Sequence, residues 1–283
     1  MMRRASLLSI DSTNGWNGNS KGTWIKRIRL DAELVRRGLT PTRSAARRAI
    51  EEGRVVVSGF GDLRPASLVA TDAAIHLEEP QRFVSRGGDK LDGALARLGV
   101  VVAGRKWLDA GASTGGFTDR LLQGGADRVV AVDVGYGQLD WKLRNDGRVT
   151  VVERTNVREL GDRDLPFAPD GVVADLSFIS LRTVLPSLVE AALPDAEFLV
   201  LVKPQFEVGK GNVGRSGVVD DPALWLKALE GVATAAALLG LGVVGACVAE
   251  PPGPAGNREF FLHLRKGQDS RMRSLEDAVA EAR

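Results

Sequence analysis

Hydrophobic and polar positions follow two different rhythms along the chain, which changes over between residues 85 and 107. In the first stretch, LDAELVRRGL places Leu30, Leu34 and Val35 on one helical face, with Asp31 as the cap and Gly38 as the stop. TRSAARRAIEEG predicts a second helix, capped by Thr42, buried through Ala46, Ala49 and Ile50, and ended by Gly53. RVVVSGF and AAIHLEE then read as short strands, so residues 26–85 form a compact α+β unit. From Lys106 the pattern is longer and more apolar. KWLDA, RVVAVDV, VTVVER, GVVADLS, EFLVLVKP, VGACVAE and REFFLHLRK alternate with helical segments, the first of these running to Gln123. Seven strands in that alternation predict an α/β domain with a mostly parallel sheet, REFFLHL being an antiparallel edge strand.

The remaining boundaries follow from composition. Residues 1–25 are polar and glycine-rich and read as a disordered extension; 86–106 read as a linker, 107–270 as the α/β domain and 271–283 as a helical tail. The apolar tract at 231–249 has the length of a membrane span, but Gly240 and Gly242 divide it into a helix end and a valine-rich strand, so no span is expected. The single cysteine, Cys247, excludes an internal disulfide, and no metal-ligand spacing is present. His76 and His263 sit in strand-like surroundings and read as structural, leaving no obvious histidine base. A reducing, cytoplasmic setting fits.

Charge adds a partner. The net charge is only +2, yet residues 21–48 hold nine Lys or Arg against two acids. Arg36, Arg37, Arg43, Arg47 and Arg48 are expected on exposed sides of the two helices, where guanidinium groups grip phosphates. A solvated basic face would show the same residues. The pattern T-R-S-A-A-R-R-A-I-E-E-G-R-V-V-V-S-G resembles the small RNA-binding module named after ribosomal protein S-four.

Chemistry is concentrated at strand ends. DAGASTGGFTD joins the first strand to a helix through a glycine-rich turn, so a ligand can approach the backbone closely. The spacing is not the dinucleotide pattern. Asp109 before the glycines disfavours a pyrophosphate and favours the cationic sulfonium and ammonium of S-adenosylmethionine. Asp133 closes the second strand, where a carboxylate accepts from ribose hydroxyls, and Asn156 follows the third, within reach of an adenine edge. Asp175 ends the fourth strand, Lys203 the fifth, and Glu259 begins the last; Lys90 lies in SRGGDKL. Lysine amines held by carboxylates suit methyl transfer to a ribose hydroxyl, because a neighbouring charge or burial makes one amine a base. Asp175 and Lys203 would equally suit a structural ion pair.

SRGGDKLDGAL, DAGASTGGFT, VDVGYGQL, ERTNVREL, ADLSFISL, LVKPQFEVGKG, GVVDDP and GNREFFLHL together resemble the TlyA family, from about residue 28 to the C-terminal region. The resemblance implies an S-four-type module joined to a Rossmann-like, FtsJ-like methyltransferase domain. It implies 2′-O-methylation of cytidine in 16S and 23S ribosomal RNA, with S-adenosylmethionine as donor and ribosomal subunits as partners. Its Lys-Asp-Lys-Glu set falls on Lys90, Asp175, Lys203 and Glu259. Donor contacts are accordingly expected at Asp109, Gly111, Ser113, Gly115, Gly116, Phe117, Asp133, Val134, Asn156, Val157 and Asp175. Gly88 and Asp89 vary the approach to Lys90, and the N-terminal extension is a second departure. The family's older haemolysin label keeps a membrane-active protein open as a rival, and a catalytically silent RNA-binding assembly factor is a second.

Overall fold

The computed structural model describes residues 26–51, 53–161 and 165–283; the N-terminal extension expected at 1–25 lies outside them. The chain divides after Pro80 into two units.

The smaller unit runs β1 (Arg27–Arg29), α1 (Leu30–Arg36), α2 (Arg43–Glu51), β2 (Val55–Val57), β3 (Leu68–Ala70) and β4 (Ile75–Leu77). β1 pairs antiparallel with β3, and β2 with β4. Thr42 Oγ1 accepts from the Ala45 amide at 3.1 Å, the cap expected for α2. Ala46, Ala49 and Ile50 are buried with Leu30, Leu34, Val55, Val57 and Val69 in a small apolar core. Asp31 is not a cap. α1 begins one residue earlier, at Leu30, and the Asp31 side chain is buried within the first turn, beneath arginines that satisfy it.

The larger unit holds a seven-stranded sheet. Its elements are α3 (Arg86–Leu98), β5 (Lys106–Ala110), α4 (Gly116–Gln123), β6 (Arg128–Val132), α5 (Trp141–Arg144), β7 (Val149–Val152), β8 (Gly171–Ala174), α6 (Leu181–Ala191), β9 (Glu197–Val202), α7 (Pro204–Glu207), α8 (Pro222–Leu238), β10 (Leu241–Val248), β11 (Phe260–Lys266) and α9 (Arg273–Glu281). Strand order is β10-β11-β9-β8-β5-β6-β7. β5 to β9 are parallel, while β11 is antiparallel to both β9 and β10. The chain builds outward from β5 to β7, then returns to β5's other side with β8. The crevice beyond the carboxyl ends of β5 and β8 is therefore the switch point where α/β sheets bind ligands.

Two expectations are corrected. REFFLHL is not an edge strand: β11 lies inside the sheet, and β10 and β7 form the edges. Residues 86–98 are not linker but the helix α3, whose Leu91, Ala94 and Leu95 are buried in the sheet's core on one face, with Phe117, Leu121 and Phe261. The helix expected at 271–283 is α9, and its Leu275, Ala278 and Val279 pack into the core on the opposite face, beside α8 and β10. Burial of such Leu and Val side chains stabilises by roughly 1.5–3 kcal/mol each, so both segments belong to the fold.

The apolar tract at 231–249 is shared between α8 and β10, and no described helix is long and apolar enough to cross a membrane. Cys247 is buried in β10, where burial raises its thiol to about 11. No group of His, Cys, Asp and Glu suited to a metal occurs among the described residues. His263 is buried beside Glu197, whereas His76 faces outward on β4.

Candidate active site

The four side chains of the lysine and carboxylate set meet in one cleft of about 320 Å3 at the switch point. Asp175 directly follows β8 and Lys203 directly follows β9, so parallel pairing puts both at one end of the sheet. β11 runs the other way with Phe260 opposite Val202, which brings Glu259 to that same end beside Lys203. Lys90 arrives from the buried face of α3. Two ion pairs result: Lys203 Nζ lies 2.5 Å from Asp175 Oδ1, and Lys90 Nζ donates to Glu259 Oε2 at 2.5 Å. Lys90 and Glu259 are nearly inaccessible, at 8% and 2% side-chain exposure, so each charge requires its partner. Asp175 is a quarter exposed and opens to the cleft.

A second lobe of about 430 Å3 shares Gly111, Ser113, Asp175 and Ser177 with the first. It adds Asp133, Val134, Gln138, Asn156, Val157 and Phe178. The glycine loop forms the wall between the lobes. Gly111 has φ 86°, and a Cβ there would stand 2.5 Å from the Asp175 backbone oxygen. Gly115 has φ 96° and caps α4, and at Gly116 a Cβ would lie 2.9 Å from the Gly88 amide nitrogen. Bare backbone is what the close approach demands.

Carboxylates organise this loop. Asp133 accepts from the Ser113 amide at 2.8 Å and from the Gly135 amide at 2.7 Å, leaving lone pairs toward the lobe. Asn156 accepts from the Arg158 amide at 3.1 Å, a bond that fixes the turn after β7. Asp109 corrects an expectation: it does not line the cleft. It is fully buried below the loop and accepts from Thr118 Oγ1 at 2.6 Å, while its Oδ1 has no partner. Burial, with Asp175 and Asp133 nearby, pushes its carboxyl up to about 7. Phe117 lines the cleft at its edge and is otherwise buried, its ring 5.9 Å from that of Phe261.

Strain gathers here too. Among the described residues, the non-glycine positions with positive φ are Ser113, Arg154 and Phe178, which follow β5, β7 and β8. Each such conformation costs on the order of 1–3 kcal/mol, and such costs concentrate at ligand sites. Phe178 is 92% exposed at the mouth of the second lobe.

Several contributors escaped the sequence reading. Ser177 accepts from Lys203 Nζ at 3.0 Å. Glu207, on α7, accepts from Ser180 Oγ at 2.6 Å and the Leu181 amide at 2.7 Å, tying the segment after Lys203 to the segment after Asp175. Ser85 and Arg86 line the first lobe. The recurrence of Ser and Glu within ADLSFIS and KPQFE was the available signal for the first two, and it needs the strand order to be read.

On the smaller unit, Arg36 and Arg37 bind Glu33, and Arg43 and Arg47 reach Asp31. Arg48 is exposed on α2. Arg37 departs from the expected exposed set: it is partly buried, and its remaining donors reach the Ala73 and Thr71 carbonyls at 2.7 and 3.0 Å.

The FtsJ-like methyltransferase family model matches residues 83–266, and the S4 domain model matches 28–59. The chain is 52% identical over 261 residues to the 16S/23S rRNA (cytidine-2′-O)-methyltransferase TlyA of Mycobacterium tuberculosis, covering 91% of this chain and 97% of that one. It is 37% identical to Hemolysin A of Brachyspira hyodysenteriae, covering 84% and 99%. A solved structure of a candidate hemolysin from Streptococcus thermophilus matches at 38% identity and a TM-score of 0.70, covering 91% of this chain and 96% of that one. With the glycine loop, the switch-point cleft and both domain models in hand, the chain belongs to the TlyA family, an S4 domain followed by an FtsJ-like methyltransferase domain.

Proposed function

We propose that this protein transfers a methyl group from S-adenosylmethionine to the 2′-hydroxyl of a cytidine in ribosomal RNA, acting on cytoplasmic ribosomal subunits. The observation that carries this reading is the convergence of Lys90, Asp175, Lys203 and Glu259 on one cleft walled by the glycine loop. The substrate named for the M. tuberculosis relative supports the choice of cytidine.

The residues fit the donor. Gly111 and Gly116 line the cleft with bare backbone, and the carboxylates of Asp133 and Asp175 line the second lobe, as suits a cationic, donor-rich ligand. When bound, S-adenosylmethionine supplies a methyl group already activated on a sulfonium. Asp133 is positioned for the ribose hydroxyls, and Asn156, Val134 and Val157 for the base. Lys203 orients the substrate hydroxyl and receives its proton; Asp175 and Ser177 fix the direction of that amine. Lys90, held by Glu259, lines the same cleft as that amine.

The test is Lys203→Ala assayed with tritium-labelled donor and unmodified rRNA. Loss of transfer by a factor of about 100 or more, with donor and RNA affinity retained, is the expected result. Near-normal transfer would remove Lys203 from the chemistry, and unmodified ribose at every cytidine after wild-type reaction would remove the substrate assignment.

A further inference from the structure

The two buried carboxylates of the smaller unit divide its arginines into two groups with different tasks. Asp31 has 0% side-chain exposure, and three guanidinium groups from two elements converge on it. Arg29, from β1, donates through Nε at 3.1 Å and Nη2 at 3.0 Å. Arg43 and Arg47, from α2, approach at 3.2 and 3.6 Å. The three heads remain 42%, 55% and 57% exposed, and the cluster carries three positive charges against one negative. Among the described residues, no second acid forms an ion pair with the three heads.

Glu33 behaves differently. It is shared by Arg36, through Nε and Nη2, and by Arg37, through Nε. Arg37 spends its other donors on the Thr71 and Ala73 carbonyls, so it ties α1 to the turn between β3 and β4. Three of its five N–H donors are thus committed to the fold, and its side chain is only 23% exposed.

We propose that Arg29, Arg43 and Arg47, seated on Asp31, form one phosphate clamp for the RNA backbone, with Asp31 as its positioning residue. The clamp adds Arg29 to the expected contact set and removes Arg37 from it, and it rests on the reading that this unit binds rRNA. The ligand is a phosphodiester because three planar forks around a residual positive charge match tetrahedral anionic oxygens, and no base-reading geometry is required. Holding the forks in place before binding saves the rotamer entropy that free arginines would lose.

The sign of one substitution separates this from simple charge attraction. Asp31→Asn removes a negative charge beside the RNA site, so charge alone predicts tighter binding. The clamp predicts weaker binding, by about tenfold, because the three heads lose their common anchor. Full-length protein and protein-free, unmodified rRNA are titrated across a salt series, with circular dichroism to confirm that the variant is folded. Arg29→Lys supplies a variant at a half-exposed site: it keeps the charge, loses the two-point bond to Asp31, and is expected to weaken binding several-fold. Arg43→Ala and Arg47→Ala are each expected to make the salt slope shallower by roughly 0.7, the value for one phosphate contact to a single strand. Arg37→Ala is expected to lower the melting temperature and leave the slope unchanged. Tighter or equal binding by Asp31→Asn, wild-type binding by Arg29→Lys, or a slope change in Arg37→Ala equal to that of Arg43→Ala would each overturn the clamp. If Arg43→Ala and Arg47→Ala bind rRNA as wild type does, the RNA reading of this unit falls with it.

Discussion

A single added methyl group tests the cleft most directly. Alanine at position 111 would have to hold φ 86°, costing about 1–2 kcal/mol, with its Cβ 2.5 Å from the Asp175 carbonyl oxygen and 2.9 Å from Leu176 Cδ2. The oxygen belongs to backbone, so relief requires moving the residue that pairs with Lys203. Gly111→Ala is expected to lower stability by about 2–4 kcal/mol and to weaken S-adenosylmethionine binding at least tenfold. Gly137→Ala is the control, since it shares the positive φ, at 72°, but has open space where the Cβ would go. It should cost only about 1 kcal/mol and leave the donor site intact. Urea unfolding and calorimetric titration of the donor distinguish the two; equal losses at both sites would show that φ, not contact with Asp175, sets the cost.

At the scale of elements, α3 links packing to chemistry. Lys90 shares its buried face with Leu91, Ala94 and Leu95, so the helix places the amine only while that face stays packed. Leu95→Ala, at a site 3% exposed, is expected to cost about 2–4 kcal/mol and to slow methyl transfer more than it weakens donor binding. Chemical denaturation alongside single-turnover transfer checks it, and an unchanged rate in the folded variant would detach Lys90 from the reaction. This helix was the hardest element to read from sequence. Consecutive Gly87 and Gly88 have poor helix propensity, so the segment read as linker. In the structure they mark close approach: a Cβ at Gly88 would press on the Phe83 ring, and the Gly88 amide faces Gly116 at the start of α4. The five parallel strands and the glycine loop were legible because an apolar run ending in a charged residue is local information. The internal position of β11 was not, since strand order depends on partners far away in the chain. β1 and β3, three residues each, were not read as strands. Asp31 was misread as a cap because Asp near a helix start has that local role, while its three arginines come from both sides of it in the chain.

The whole molecule carries carboxyl groups displaced in opposite directions, which makes its two units respond differently to acid. Asp109 in the larger unit is raised to about 7. Between an ordinary carboxylate value and 7 its folded form binds more proton than its unfolded form, so stability declines as pH rises through that window and recovers on acidification. Glu207, raised by burial in the same unit, acts in the same direction. In the smaller unit the signs reverse. The bond from Arg36 pulls Glu33 down to about 2, and the bond from Arg29 takes Asp31 lower still. Their contribution is complete above the ordinary carboxylate range and is lost as pH falls towards the depressed values. The larger unit has acid-sensitive groups of its own, Glu197, held near 2 chiefly by His263, and Asp92, Asp146 and Glu153, each lowered beside arginines, but it has a far more extensive core. Scanning calorimetry from neutral pH to roughly pH 3 is therefore expected to resolve two transitions moving apart. The transition of residues 81–283 rises on mild acidification, and that of 26–80 falls once pH drops below about 4. A brief pepsin pulse at the acid end identifies the unit that has opened, with cuts expected between residues 26 and 80. In Asp109→Asn the mild-acid rise should vanish while the acid loss of the smaller unit persists. One transition falling monotonically, unaltered by that substitution, would mean that Asp109 is ordinarily ionised beneath the loop.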